Sequence, residues 1–206
     1  MRIPTQLTVL RIVLAAVFFV LFALVTPPKT EWAIGIFIVA SITDWWDGHI
    51  ARKMNLTSAL GAFLDPLADK LLTGAAFIAF AWQDYIPWWM VIVVLFRDAY
   101  LTLFRLLADT QGLSVQTSFI AKVKTAVQMI FISVMLFALV AADGGLGSWL
   151  QEIGRQLKSP ALLFWPMGIV TFLTAASAIL YSYDNWPALR AVVSRYLLRH
   201  ASQEII

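Results

Sequence analysis

The chain has no cysteine, which excludes disulfide staples and thiolate-bound metals. Histidine is almost as scarce, at two residues. His49 sits beside a row of aspartates but faces away from Asp47 by helix geometry, so it reads as a surface side chain rather than a ligand. Charge is sparse too: 13% of the 206 residues are charged, against 61% hydrophobic. No soluble domain of this size needs so much apolar surface, and a polytopic helical membrane protein does. The net charge of +3 is small. Its placement matters more, and it points to a membrane surface or phosphate ligands rather than nucleic acid. Internal repeats, low-complexity segments and a transit-peptide-like extension are all lacking. The expectation is a single all-α membrane domain over residues 1–206, and the nine tryptophans fit interfacial belts.

What the chain does have is a concentration of carboxylates inside apolar sequence. It reads Asp44-Trp45-Trp46-Asp47-Gly48-His49-Ile50-Ala51-Arg52, then eight residues, then Gly61-Ala62-Phe63-Leu64-Asp65-Pro66-Leu67-Ala68-Asp69-Lys70. An ionisable residue in membrane is expensive and marks a functional site by default. Asp44 and Asp47 are three apart and Asp65 and Asp69 four apart, so each pair shares a face of its own helix. Met54-Asn55-Leu56-Thr57-Ser58 is turn-like. A reversal near Leu56 brings Asp47 level with Asp65 and Asp44 level with Asp69, at a rise of about 1.5 Å per residue. Four carboxylates gathered in this way do not all stay ionised without cations. Hard oxygen ligands suit Mg²⁺ or Mn²⁺, and two ions would make a phosphoryl-transfer type of site. A plainer alternative takes Asp65-Pro66 as a helix start and Arg52-Lys53 as a positive flank. It leaves the apolar run from Leu56 to Leu64 unexplained.

The pattern D-x2-D-G-x2-A-R-x8-G-x3-D-x3-D resembles the signature of the CDP-alcohol phosphatidyltransferases, and each of its eight fixed positions is matched. The resemblance implies six membrane helices and a divalent-metal site on Asp44, Asp47, Asp65 and Asp69. It also implies displacement of CMP from a CDP-linked lipid by an alcohol. On resemblance alone, Gly48, Ala51 and Gly61 let the nucleotide approach the backbone. Arg52 helps to neutralise the diphosphate, and Asp69 is the general base. The family's habit also implies a homodimer.

Taken in order, the first segment runs from Met1 to Thr26, with Pro4 able to open a short helix and Arg2 and Arg11 expected to face head groups. Five more spans follow: Trp32 to Lys53, Leu56 to Trp82, Ile86 to Ala108, Ser118 to Ala142 and Pro160 to Tyr183. Each is about 20 residues or longer, as a bilayer requires. Twelve of the fifteen lysines and arginines fall on the side of the N-terminus, and only Lys29, Arg155 and Lys158 on the other. That bias places both termini and the aspartate hairpin in the cytoplasm. The expected location is a bacterial inner membrane. The outer loop Asp143 to Ser159 predicts a short interfacial helix, and Pro187 to His200 a basic amphipathic helix on the inner leaflet.

A second constellation lies at the cytoplasmic ends of spans four and five. Arg97 and Arg105, eight apart, fall close to one helical face. Lys122 and Lys124, two apart, cannot share a face centre, so one is expected to point into the cavity and the other toward head groups. Basic groups near a carboxylate–metal site can hold a second phosphate, and ordinary positive-inside flanking is the alternative. Arg97-Asp98-x6-Arg105 followed by Ala121-Lys122-Val123-Lys124-Thr125 is similar to the phosphatidylglycerophosphate synthases within the family. That implies CDP-diacylglycerol as donor and glycerol 3-phosphate as acceptor, with the acceptor phosphate on Arg105, Lys122, Lys124 and Arg97. Ser118 to Gln128 and Thr174-Ala-Ala-Ser-Ala resemble the cardiolipin synthases, whose acceptor is phosphatidylglycerol. An ion-coupled transporter is the alternative of another class, but its carboxylates are expected near the midplane with paired repeats. No nucleophile stands out, which favours direct attack by the acceptor hydroxyl.

Overall fold

A computed structural model of the chain describes residues 3–25, 30–54, 59–113, 115, 119–143 and 147–201. Side chains are described for 9–25, 30–43, 70–113, 115, 120, 122–142 and 147–194. Among the described residues there are helices and no strands. They are α1 (Ile3–Phe19), continued by a π-helical turn (Val20–Leu24), α2 (Thr30–Met54), α3 (Ala59–Trp82), α4 (Trp88–Thr110), α5 (Phe119–Asp143), α6 (Ser148–Leu157), α7 (Pro160–Asp184) and α8 (Trp186–Ala201).

The core follows from where the phenylalanines fall. Phe18 meets Phe22 at 5.6 Å and Phe37 of α2 at 5.4 Å, Phe22 meets Phe80 of α3 at 5.6 Å, and Phe77 stacks on Phe131 of α5 at 6.1 Å. Offset and edge-on ring pairs of this kind add about 0.5–1.5 kcal/mol each beyond area burial. They tie α1, α2, α3 and α5 into one apolar core. The Nε2 amide of Gln83 donates to the carbonyls of Phe22 and Ala23, at 3.2 and 3.4 Å, which caps the π-helical end of the first segment from the end of α3.

Helix ends are marked by the chain itself. The Gly112 and Leu113 amides return to the Asp109 and Ala108 carbonyls in a Schellman motif, and Gly112 takes the left-handed conformation that motif needs. Asp84 does the same work after α3 at φ 59°, as a non-glycine residue that tolerates the region. On α7 the hydroxyls of Thr171, Thr174 and Ser177 bond back to carbonyls of their own helix, so three buried polar side chains need no external partner.

Two stretches, Lys122–Ala142 and Pro160–Asp184, are long and apolar enough to cross a bilayer, and shorter apolar helices cover Val9–Leu24, Thr30–Thr43 and Lys70–Trp82. The structure is that of a membrane-associated helical protein. Two expectations need correction. Pro4 lies in the first turn of one continuous helix instead of opening a separate short one, because nothing between it and Phe19 breaks a helix. Arg11 is 2% exposed and lies within the helical packing, not toward head groups. The amphipathic helix expected near 143–159 is α6, and the one expected near 187–200 is α8.

Candidate functional site

The aspartates divide between two successive helices. Asp44 and Asp47, with Gly48, Ala51 and Arg52, are on the last turns of α2. Gly61, Asp65 and Asp69 are on the first turns of α3. The side chains of all these residues, and the reversal at 55–58, lie outside the described residues. Among the described residues no group of three metal-type ligands occurs. The donor set itself fits hard divalent cations, being four carboxylates on two consecutive helices that contact one another.

Where α3 leaves the aspartates, the side-chain description begins, and it begins at a cleft. Lys70 follows Asp69 directly and lines a cavity of about 560 Å³. The remaining wall comes from α4 (Arg97, Asp98, Leu101, Thr102, Arg105) and α5 (Lys122, Thr125, Ala126, Met129). Both sets recur at intervals of three and four, so each helix gives the cleft one face. Asp65 lies five residues before Lys70 on the same helix, a rise of about 7.5 Å. The cleft thus adjoins the segment that carries the carboxylates.

The cations around this cleft differ in what they already hold. The Lys124 ammonium donates to Asp98 Oδ1 at 2.6 Å, and the Arg97 Nη1 donates to the same oxygen at 2.9 Å. All three residues are buried, Lys124 to 1% exposure. Lys124 is therefore fixed to α4, while Lys122, two residues earlier, is exposed on the cleft wall. That is the divergence expected of residues two apart on a helix. Among the described residues, Arg97 Nε and Nη2 are buried with no hydrogen-bond partner. Buried guanidinium nitrogens left this way favour an anion beside them.

Arg105 is held differently. Its Nε donates to the Tyr181 hydroxyl of α7 at 2.9 Å, and its guanidinium carbon lies 5.3 Å from the centre of the same ring. Tyr181 is fully buried and meets Phe104 edge-on at 6.1 Å, in a small cluster with Leu101, Ala108 and Val192 of α8. Arg105 is otherwise exposed toward the cleft it lines. The partner described for it is a phenol hydroxyl and not a carboxylate.

Arg97, Arg105 and Lys122 thus come together on one cleft, and Lys124 sits behind it. Sequence reasoning missed Asp98, Lys70 and Tyr181. Asp98 had a signal: it is the one carboxylate in the apolar run from Trp88 to Leu107, where a charge calls for a partner. Lys70 had adjacency to Asp69. Tyr181 had none, since an aromatic near a span end reads as interfacial.

Comparison with known proteins bears on this arrangement. A family model described as CDP-alcohol phosphatidyltransferase matches residues 1–157. The chain is similar to a Bacillus subtilis (strain 168) protein named CDP-diacylglycerol–glycerol-3-phosphate 3-phosphatidyltransferase. The two are 38% identical over 155 residues, 75% of this chain and 74% of that protein. Proteins of the same name from Shigella flexneri serotype 5b (strain 8401) and Escherichia coli (strain K12) are each 33% identical over 182 residues. Those alignments cover 86% of this chain and 96% of theirs.

Proposed function

Since the chain belongs to the CDP-alcohol phosphatidyltransferase family, we propose that it transfers the phosphatidyl group of CDP-diacylglycerol to glycerol 3-phosphate, giving phosphatidylglycerophosphate and CMP. The observation that carries the choice of acceptor is the cleft beside Asp69, where Arg105 and Lys122 offer positive charge to a small phosphorylated alcohol. Glycerol 3-phosphate has no membrane anchor, so its binding must come almost wholly from charge and hydrogen bonds.

In this proposal Asp44, Asp47, Asp65 and Asp69 hold Mg²⁺ or Mn²⁺, as a pair of ions in the sense of a two-metal phosphoryl-transfer site. Bound there, the ions would neutralise the donor diphosphate and keep the carboxylates ionised. Gly48, Ala51 and Gly61 give the cytidine a close approach to the backbone, and Arg52 adds charge at the diphosphate. Asp69 takes the proton of the acceptor's sn-1 hydroxyl as that oxygen attacks the lipid-linked phosphorus, and CMP leaves. Arg105 and Lys122 hold the acceptor phosphate with Arg97 beside them, and Lys124 contributes by fixing Asp98.

The wider architecture belongs to the same proposal. Six helices, α1 to α5 and α7, cross the inner membrane, with both termini and the cleft on the cytoplasmic side. The resemblance also implies a homodimer. The test is CMP release by purified protein with CDP-diacylglycerol and Mg²⁺ or Mn²⁺, each acceptor supplied separately. Glycerol 3-phosphate is expected to support turnover. Turnover with phosphatidylglycerol alone would replace the proposal with cardiolipin synthesis.

A further inference from the structure

We infer that Tyr181 is a positioning residue for phosphate recognition, setting the guanidinium of Arg105 so that it meets a phosphomonoester. The inference rests on the proposed use of the cleft and adds to it a residue on α7, which lies beyond the stretch matched by the family model.

An exposed arginine is free to move before it binds a ligand. Its long side chain carries about 2 kcal/mol of rotamer entropy, which an exposed guanidinium loses when it grips a ligand. Arg105 has already lost part of that freedom. Its Nε is bonded to the Tyr181 hydroxyl at 2.9 Å and its guanidinium carbon is 5.3 Å from the ring centre. With Nε taken, the two terminal nitrogens are what Arg105 offers to the cleft it lines. Paired terminal nitrogens match two phosphate oxygens at once.

The chemistry of the partner matters as much as its position. Arg97 and Lys124 are anchored by Asp98, which spends its charge on them. A tyrosine hydroxyl orients without neutralising. Arg105 is therefore fixed through a phenol hydroxyl, where the other two are fixed through a carboxylate. Tyr181 is itself rigid, at 0% exposure, with Phe104 against its edge and the amide of Asn185 on its carbonyl.

The test compares full-length wild type with Tyr181→Phe, which keeps the ring and removes the hydroxyl. Glycerol 3-phosphate binding is measured by calorimetry and turnover by CMP release. Loss of one such hydrogen bond should weaken glycerol 3-phosphate binding, and raise its KM, about 2- to 10-fold. The kcat and the KM for CDP-diacylglycerol should stay within twofold. In an Arg105→Lys background, where no Nε–H remains to be held, Tyr181→Phe should have no further effect. Unchanged acceptor binding in Tyr181→Phe overturns the inference alone. A parallel fall in kcat and in both substrates' binding also overturns it, since that marks a merely structural tyrosine. Wild type that binds glycerol 3-phosphate without turning it over overturns the proposed reaction but not the role of Tyr181. Absence of binding to wild type overturns both.

Discussion

At the scale of the residue, the basic side chains near the cleft should separate into two kinds under mutation. Arg105→Ala and Lys122→Ala remove charge that faces the cleft. Each should raise the KM for glycerol 3-phosphate by roughly 10- to 150-fold, the effect of losing a charged hydrogen-bond partner of about 1.5–3 kcal/mol. The KM for CDP-diacylglycerol should hardly change. Lys124→Ala acts elsewhere. It strips a buried carboxylate of one of its two cations, and breaking a buried pair costs about 3–5 kcal/mol. Thermal unfolding in detergent should show that loss for Lys124→Ala and not for Lys122→Ala; the opposite order would reverse their roles. Asp69→Asn should lower turnover about 10²- to 10⁴-fold while the protein stays folded. Near-normal CMP release by that variant would remove Asp69 from the role of base.

At the scale of the element, α6 is set by one glycine. A methyl group built on Gly154 would lie 2.7 Å from the Ala138 carbonyl oxygen and 2.8 Å from the Ala141 carbonyl carbon. The backbone of α6 therefore lies directly on the last turns of α5, with no room between. Gly154→Ala should destabilise the protein by about 1–3 kcal/mol, as overpacking does, with Tm in detergent as the measurement. Ser148→Ala, on the exposed start of α6, is the control and should leave Tm unchanged. The sequence made such elements legible to different degrees. The amphipathic patterns behind α6 and α8 located both helices to within a few residues. The continuity of α1 was misjudged, because Pro4 reads equally as the start of a short helix or of a long one. The close contact at Gly154 was invisible, since it depends on how two helices meet and not on either alone. At the cleft, spacing could say that Lys122 and Lys124 diverge. It could not say which one turns inward, because that depends on Asp98 of another helix.

At the scale of the whole molecule, the bias of twelve basic residues against three predicts an orientation that can be measured. The chain's lack of cysteine gives labelling a clean background. A cysteine introduced at Asn55 should react with an impermeant reagent only from the cytoplasmic side, and one at Gly145 only from outside. Labelling of position 55 from outside would invert the molecule and separate the cleft from a cytosolic acceptor.

The shared carboxylate of Asp98 bears also on how the chain is built. α4 brings Arg97 and Asp98 together as neighbours already bonded to each other, so its buried charges arrive as a neutral pair. α5 brings Lys124, whose buried counter-ion lies on a different helix. A buried lysine left without its partner is destabilising. Synthesis runs from the N-terminus, so α4 precedes α5, and the partner for Lys124 is made before the lysine. The order of the helices along the chain thus supplies the carboxylate before the lysine that it holds.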